Sequence, residues 1–314
     1  MGFETIIGHN FIKNQIQNSI LKNTLSHAHL IVGENGIGKS LIAYQMAIQI
    51  LGKKENKYYV DIVEWKIKKN KMSIGVNDIR SLIVEVNKKP YEGNKKVIII
   101  YHAHKMTTEA QNAILKTIEE PPKGVTLILL TENLELLLDT IKSRSQVHRL
   151  NRLTNIEIKT YLNQKYPDLS HEEINLLINF SEGIPGRCDL YLNDEAFKEI
   201  RSFTLILLKD TNNKSDNIIP KYEELFNRYK TMWEEILNSL LVYIRDMLIY
   251  KETGNDKLII NFDKFDDLKE ISNIYSYKNL EKLVSIINKS REKLENKVNY
   301  ELVFNVMLLK MQEV

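Results

Sequence analysis

Gly33-Glu34-Asn35-Gly36-Ile37-Gly38-Lys39-Ser40 fits G-x-x-x-x-G-K-[ST] without a mismatch. Backbone amides of such a loop, together with the N-terminus of the helix behind it, surround a β-phosphate, and the helix dipole adds to their pull. Lys39 would carry a point charge to the β- and γ-phosphates, and Ser40 a hydroxyl for magnesium. Further along, the apolar run Val97-Ile98-Ile99-Ile100 ends in Tyr101-His102-Ala103-His104. Hydrolysis at such a loop needs an acid there for magnesium and another to activate water. Tyr and His do not replace carboxylates in an oxygen cage, and a missing base costs ~10²–10⁴ in rate. The pattern predicts a site that takes a nucleotide, ATP or ADP, holds magnesium weakly or not at all, and turns over negligibly on its own.

Other residues invite chemistry with less to specify it. His27-Ala28-His29 and His102-Ala103-His104 suggest a metal. However, the first pair enters a strand and the second leaves one, so a parallel sheet puts them at opposite edges. The expectation is no metal. Arg144, in Ser143-Arg144-Ser145, reads either as a surface arginine or as a group that stabilises phosphate charge on a neighbouring subunit. Arg187 follows Gly183-Ile184-Pro185-Gly186 and would either reach a phosphate or pair with an acid.

These residues need a frame. Ile12, Ile16 and Ile20 mark a helix over 11–25. Leu30-Ile31-Val32 is a strand feeding the glycine loop, and residues 40–51 form the helix after it, with Gly52 just past its end. A strand near Ile62-Val63, a helix over 76–86 and a strand over 97–100 follow. Thr107 caps a helix carrying Ala110, Ala113, Ile114, Thr117 and Ile118 on one stripe. That helix stops at Glu120 because Pro121 excludes the helical region before it. Val125–Leu130 is a strand, and 135–141 is helical. Alternating short strands and helices predict a parallel sheet covered on both faces. Beyond Arg149 everything reads as helix: a small group over 154–193, a polar linker at 212–217, one long helix over 222–252 ending at Gly254, and a stretch over 280–311 broken near Asn299.

The chain has 314 residues, 27% charged and 43% hydrophobic, with a net charge of +3. That is ordinary for a soluble globular protein and too weakly basic to name a partner. The lysine excess within 53–96 reads as a solvated face or as a nucleic-acid patch. Cys188 is the single cysteine, so an internal disulfide and a cysteine-rich zinc module are excluded. No signal-peptide pattern and no membrane-length apolar run occurs, and cytoplasmic localisation is the expectation.

Several stretches are more specific. Ile7-Gly8-His9, Ser26-His27-Ala28-His29-Leu30, Pro90-Tyr91-Glu92-Gly93 and the run from Lys105-Met106-Thr107 through Glu119-Glu120-Pro121-Pro122 resemble the AAA+ clamp-loader family of bacterial DNA polymerase III. Arg245-Asp246-Met247-Leu248 resembles a stretch of that family's collar domain. The resemblance implies an α/β AAA+ P-loop domain at 1–150, a small helical lid at 151–196 and an all-α collar at 197–314. It places Ile7, Gly8 and His9 near an adenine, and Thr131 or Asn133 as a polar sensor. Arg144 becomes a finger acting in trans, and Arg187 a second-domain sensor. It implies tau/gamma motor subunits and a delta subunit as partners, with the sliding clamp and primed DNA in the complex. The family's cysteine zinc module is missing, so no zinc is expected. An accessory subunit of a DNA-directed DNA polymerase fits the missing acids better than a motor. An autonomous ATPase with unusual metal ligands and a nucleotide-free scaffold are the alternatives.

Overall fold

The computed structural model describes residues 2–67, 71, 73–212 and 217–314. Two compact units divide the chain: Met1–Leu169 with Ser181–Arg187, and Ser170–Phe180 with Cys188–Val314.

The first unit opens with α1 (Asn10–Leu21), β1 (Ala28–Val32) and α2 (Lys39–Ile50). Next come β2 (Ile62–Trp65), α3 (Val76–Val86), β3 (Lys96–Ile100) and α4 (Thr108–Glu119). It continues through β4 (Val125–Thr131), α5 (Asp139–Ser143), β5 (Gln146–Arg149) and α6 (Asn155–Lys165). The five strands are all parallel, in the order β2-β3-β4-β1-β5. A parallel sheet needs cover on both faces, and the alternation of side chains supplies it. Leu30, Ile98, Ile100, Leu127 and Leu129 join Ile79, Leu82, Ile114 and Ile118 of α3 and α4 in one cluster. On the other face α2 packs along β1, β3 and β4. The Thr107 hydroxyl accepts the Ala110 amide and starts α4 as its sequence predicts.

Three points differ from the sequence reading. Residues 146–149, for which no element was expected, form β5, an edge strand of mixed polarity. Residues 135–138 are not helical, and α5 begins only at Asp139. Gln111 holds that segment in a turn: its Nε2 donates to the Leu136 carbonyl at 3.0 Å and its Oε1 accepts the Leu138 amide at 2.8 Å. The third point falls in the second unit, where the helix expected over 222–252 is two.

That unit contains α7 (His171–Ser181), α8 (Pro185–Asn193, whose first residues belong to the first unit), α9 (Glu195–Asn212) and α10 (Ile218–Arg228). After these come α11 (Trp233–Thr253), α12 (Phe265–Ile274), α13 (Tyr277–Glu295) and α14 (Tyr300–Gln312). The break between α10 and α11 lies at Tyr229, whose ring stacks on Phe203 and whose hydroxyl bonds Glu199. Of the expected linker, residues 213–216 lie outside the described residues, while Asn212 ends α9 and Asn217 precedes α10. Asp246 is fully buried, and its carboxylate accepts the amides of Ile260 at 3.1 Å and Asn261 at 2.8 Å. In this chain Asp246 therefore anchors the loop after α11.

One buried pair makes the sheet sensitive to acid. His29 on β1 and His148 on β5 meet with Nδ1 and Nε2 3.1 Å apart. His29 Nε2 donates to the Ser26 carbonyl at 2.8 Å, so its Nδ1 accepts from His148, whose own Nδ1 has no partner. Burial, and then the neighbouring imidazole, holds His29 down to about 3, and burial holds His148 at about 4. Both values lie below those of the unfolded chain, so the unfolded state binds more protons as acid is added. The contribution is fully present above pH ~6.5 and is lost as pH falls toward 4. Urea unfolding should show the first unit losing a few kcal/mol, on the order of 1.4 per shifted unit, between pH 7 and pH 4.5. A His29→Gln/His148→Gln chain should lose clearly less over the same interval, and equal losses would contradict the neutral pair.

Candidate functional site

The glycine loop leaves β1 and enters α2. Gly36 and Gly38 have φ of +80° and +110°, values that L side chains rarely adopt. Lys39 begins α2, and its ammonium donates to the loop carbonyls of Gly33 at 2.7 Å and Glu34 at 2.8 Å. Burial lowers the Lys39 pKa, with the Glu132 and Glu34 carboxylates working against it. Asn35 is exposed, and Ile37 is buried under the loop. His9 has left-handed backbone and its Nε2 bonds the Ile37 carbonyl at 3.1 Å, with Gly8 buried beside it and Ile7 half-buried. Of the three, His9 touches the loop, while the space beside Gly8 is filled by Leu153 and Glu157.

A second segment closes on the loop. The Gly186 amide donates to the Gly36 carbonyl at 3.0 Å, and a Cβ on Gly186 would lie 2.6 Å from the Gly36 Cα. Gly183, at φ +82°, accepts the Leu153 amide at 2.8 Å, and a Cβ there would fall 2.5 Å from the Leu153 carbonyl oxygen. The break expected at 183–186 is thus a clamp. Arg187 follows it and pairs with Glu182; the pKa of Glu34 is lowered first by its bond to Arg152 and to a lesser degree by the Arg187 charge. Glu34 itself is held by Arg152 through bonds of 2.6 and 2.8 Å.

At the strand ends the acid-free reading holds for β3, and the substitutes can be named. Tyr101 donates its hydroxyl to Glu64 Oε2 at 2.6 Å, and burial followed by that bond raises its pKa. The nearby Ser40 side chain offsets part of that rise. Beyond Tyr101 the chain turns through left-handed His102 into a short turn over Ala103–Lys105. His102 Nδ1 lies 3.4 Å from Glu132 Oε1, and His104 Nδ1 accepts the Glu132 amide at 3.3 Å. Burial works against ionisation of Glu132, but the His102 contact and then the Lys39 charge hold its pKa below the usual carboxylate range. Burial lowers His104, and the facing carboxylate offsets only part of that.

Glu132 is the residue that sequence reasoning missed. It stands between the two sensor candidates, of which Thr131 is buried and Asn133 exposed, and both bond within their own segment. The Thr131 hydroxyl donates to the Asn133 carbonyl at 2.8 Å, and Asn133 Oδ1 accepts the Glu135 amide at 2.8 Å. The two His-Ala-His pairs do stay apart, as expected: His29 meets His148, whereas His102 and His104 meet Glu132. Arg144 follows α5 at the surface and pairs through Nε with Glu119 of α4 at 2.6 Å. In the lysine-rich segment, Lys53, Lys57, Lys66, Lys71 and Lys88 each pair at the surface with a nearby acid, which favours the solvated-face reading for them, while Lys96 is fully buried against Glu85.

The clamp generates a prediction. Gly186→Ala forces a methyl onto the Gly36 backbone and should cost about 1–3 kcal/mol. Thermal unfolding should show a lowered midpoint, whereas Gly93→Ala, with nothing within 4 Å, should leave it unchanged. An unaltered midpoint in Gly186→Ala would rule out the close packing.

Comparison with known proteins agrees with this architecture. Residues 8–154 match the family described as DNA polymerase III, delta subunit, and residues 196–313 match its C-terminal region. The chain is 29% identical to DNA polymerase III subunit delta' of Bacillus subtilis, over 95% of this chain and 94% of that protein. It is 27% identical to subunit tau of the same organism, over 98% of this chain but only 61% of tau. Among solved structures, a DNA polymerase III gamma subunit-related protein of Thermotoga maritima has a TM-score of 0.53 at 18% identity, covering 95% of this chain and 99% of that one. A variant of RuvB from Thermotoga maritima has a TM-score of 0.50 at 16% identity, covering 86% of this chain and 88% of that one. These last two likenesses are of fold alone. With both of its parts matched in order along the sequence, this chain belongs to the clamp-loader family of DNA polymerase III subunits.

Proposed function

We propose that the chain is a delta-prime-type subunit of the replicative clamp loader, which completes a ring with tau/gamma motor subunits and a delta subunit in the cytoplasm. In this reading residues 1–150 are the nucleotide-type domain, 151–196 the lid and 197–314 the collar that joins the ring. The subunit helps place the sliding clamp on primed DNA. It presents Arg144 to the triphosphate of an adjacent motor subunit.

One observation carries the reading. An intact phosphate loop adjoins a strand end that offers Tyr101, His102 and His104 in place of acids. Such a chain keeps the shape of a motor without its hydrolytic groups. The relatives support the same choice, since delta' of Bacillus subtilis matches nearly end to end.

The loop suits ATP or ADP. The amides at the start of α2 and Lys39 would hold the phosphates, and the His9 segment would flank the base. Magnesium suits it poorly. The nearest strand end offers imidazole nitrogen where a hard cation prefers oxygen.

Two measurements test the proposal. In a reconstituted loader, Arg144→Ala should leave assembly intact and slow hydrolysis at the site it completes by on the order of 10³-fold; undiminished ATP-driven loading would exclude the role in trans. For the isolated chain, nucleotide titration should saturate without phosphate release, and Lys39→Ala should weaken binding by roughly 10- to 100-fold, the worth of a charged hydrogen bond. Turnover by the isolated chain that vanishes in Lys39→Ala would establish an autonomous ATPase instead, and the absence of saturable binding would leave a scaffold.

A further inference from the structure

We infer that His102, His104 and Glu132 form a binding site for a divalent transition-metal ion of the zinc class. One potential ligand atom from each residue lies within 4.8 Å of the others. They are the one such group of three among the described residues.

The fold brings them together. β3 and β4 are neighbours, with Ile100 in register with Leu129. β4 runs on to Thr131, which places Glu132 beside the turn that follows β3. That turn is fixed on both sides. Buried Ala103 accepts the Met106 amide at 3.1 Å, and Lys105 accepts the Ile74 amide at 2.9 Å. His102 adopts φ 53°, a left-handed conformation uncommon for a side-chain-bearing residue. The two rings lie 5.9 Å apart and at 76° to one another.

The donor set selects the ion. Two imidazoles and one carboxylate are the protein ligands of open zinc sites, whose remaining position takes water or a substrate oxygen. Ligand atoms around a tetrahedral zinc stand ~3.3 Å apart. The pair of His102 Nδ1 and Glu132 Oε1, at 3.4 Å, already has that spacing. The lone pair of His104 Nδ1 now takes the Glu132 amide at 3.3 Å, a long contact that an ion would replace. Lys39 does not occupy the carboxylate, because its ammonium is held by the Gly33 and Glu34 carbonyls. His102 and Glu132 remain 42% and 28% exposed at the side chain, so an ion has a way in. The site stands apart from the cysteine chemistry excluded earlier, and it does not depend on the clamp-loader reading.

The test uses the whole chain and the metal alone. Titration with Zn2+ at neutral pH should give one saturable site in the micromolar range or tighter. Co2+ should bind the same site and give visible ligand-field bands of a low-coordinate nitrogen–oxygen site. His102→Ala, His104→Asn and Glu132→Gln should each weaken Zn2+ binding by more than ~10-fold, and His29→Gln should not. Circular dichroism confirms that each variant is folded. Millimolar Mg2+ should not displace the ion. Absence of micromolar Zn2+ binding by the unaltered chain would overturn the assignment. So would binding that survives a His102→Ala/His104→Asn double change, or binding that is lost in His29→Gln.

Discussion

Backbone lies on backbone where Gly36 meets Gly186, and the chemistry of the first unit is arranged around that contact. A phosphate loop must leave its amides unpaired to receive an anion, so the loop has few internal bonds with which to keep its shape. Here an amide from outside fixes one of its carbonyls, at 3.0 Å. Only glycine at both positions lets the two strands of chain approach so closely. Gly183 ties the same segment to Leu153, which leads through the Thr154–Glu157 capping box into α6. The loop, the start of α2 and the start of α6 are therefore held as one piece.

The strand ends then set what that piece can do. Lys39 rests on two loop carbonyls, Tyr101 donates to Glu64, and Glu132 faces two imidazoles. The lysine and the groups at the strand ends are each bonded to something else. Electrostatics point the same way. The ionised form of Glu132 is supported by the His102 contact and then by the Lys39 charge. The residue comes from β4, one strand beyond the position where a hydrolytic acid would follow β3.

Much of this was legible in the sequence because it is contiguous. The glycine loop, the Thr107 cap, the stripe of α4 and the break at Asn299 are each written within a dozen or so residues. The parts that were not legible depend on partners far along the chain. Glu132 gains meaning only once β3 is known to lie beside β4. β5 has four residues of mixed polarity, and its one fully buried group, His148, is explained by His29 on a different strand. Residues 135–138 would pass for helix but for Gln111, which binds the backbone on either side of Leu137. The helix expected over 222–252 has no glycine or proline at its break; Tyr229 turns there because Phe203 and Glu199 receive it. In each case a tertiary contact overrode a local preference.

Arg144 and Glu119 leave one more consequence. The two side chains are 40% and 42% exposed, and an ion pair so open to water stabilises by no more than about 1 kcal/mol. The guanidinium is thus holstered rather than locked. An anion that displaced the Glu119 carboxylate would not have to draw a naked cation from a dry pocket, and α4 would keep a solvated glutamate in return.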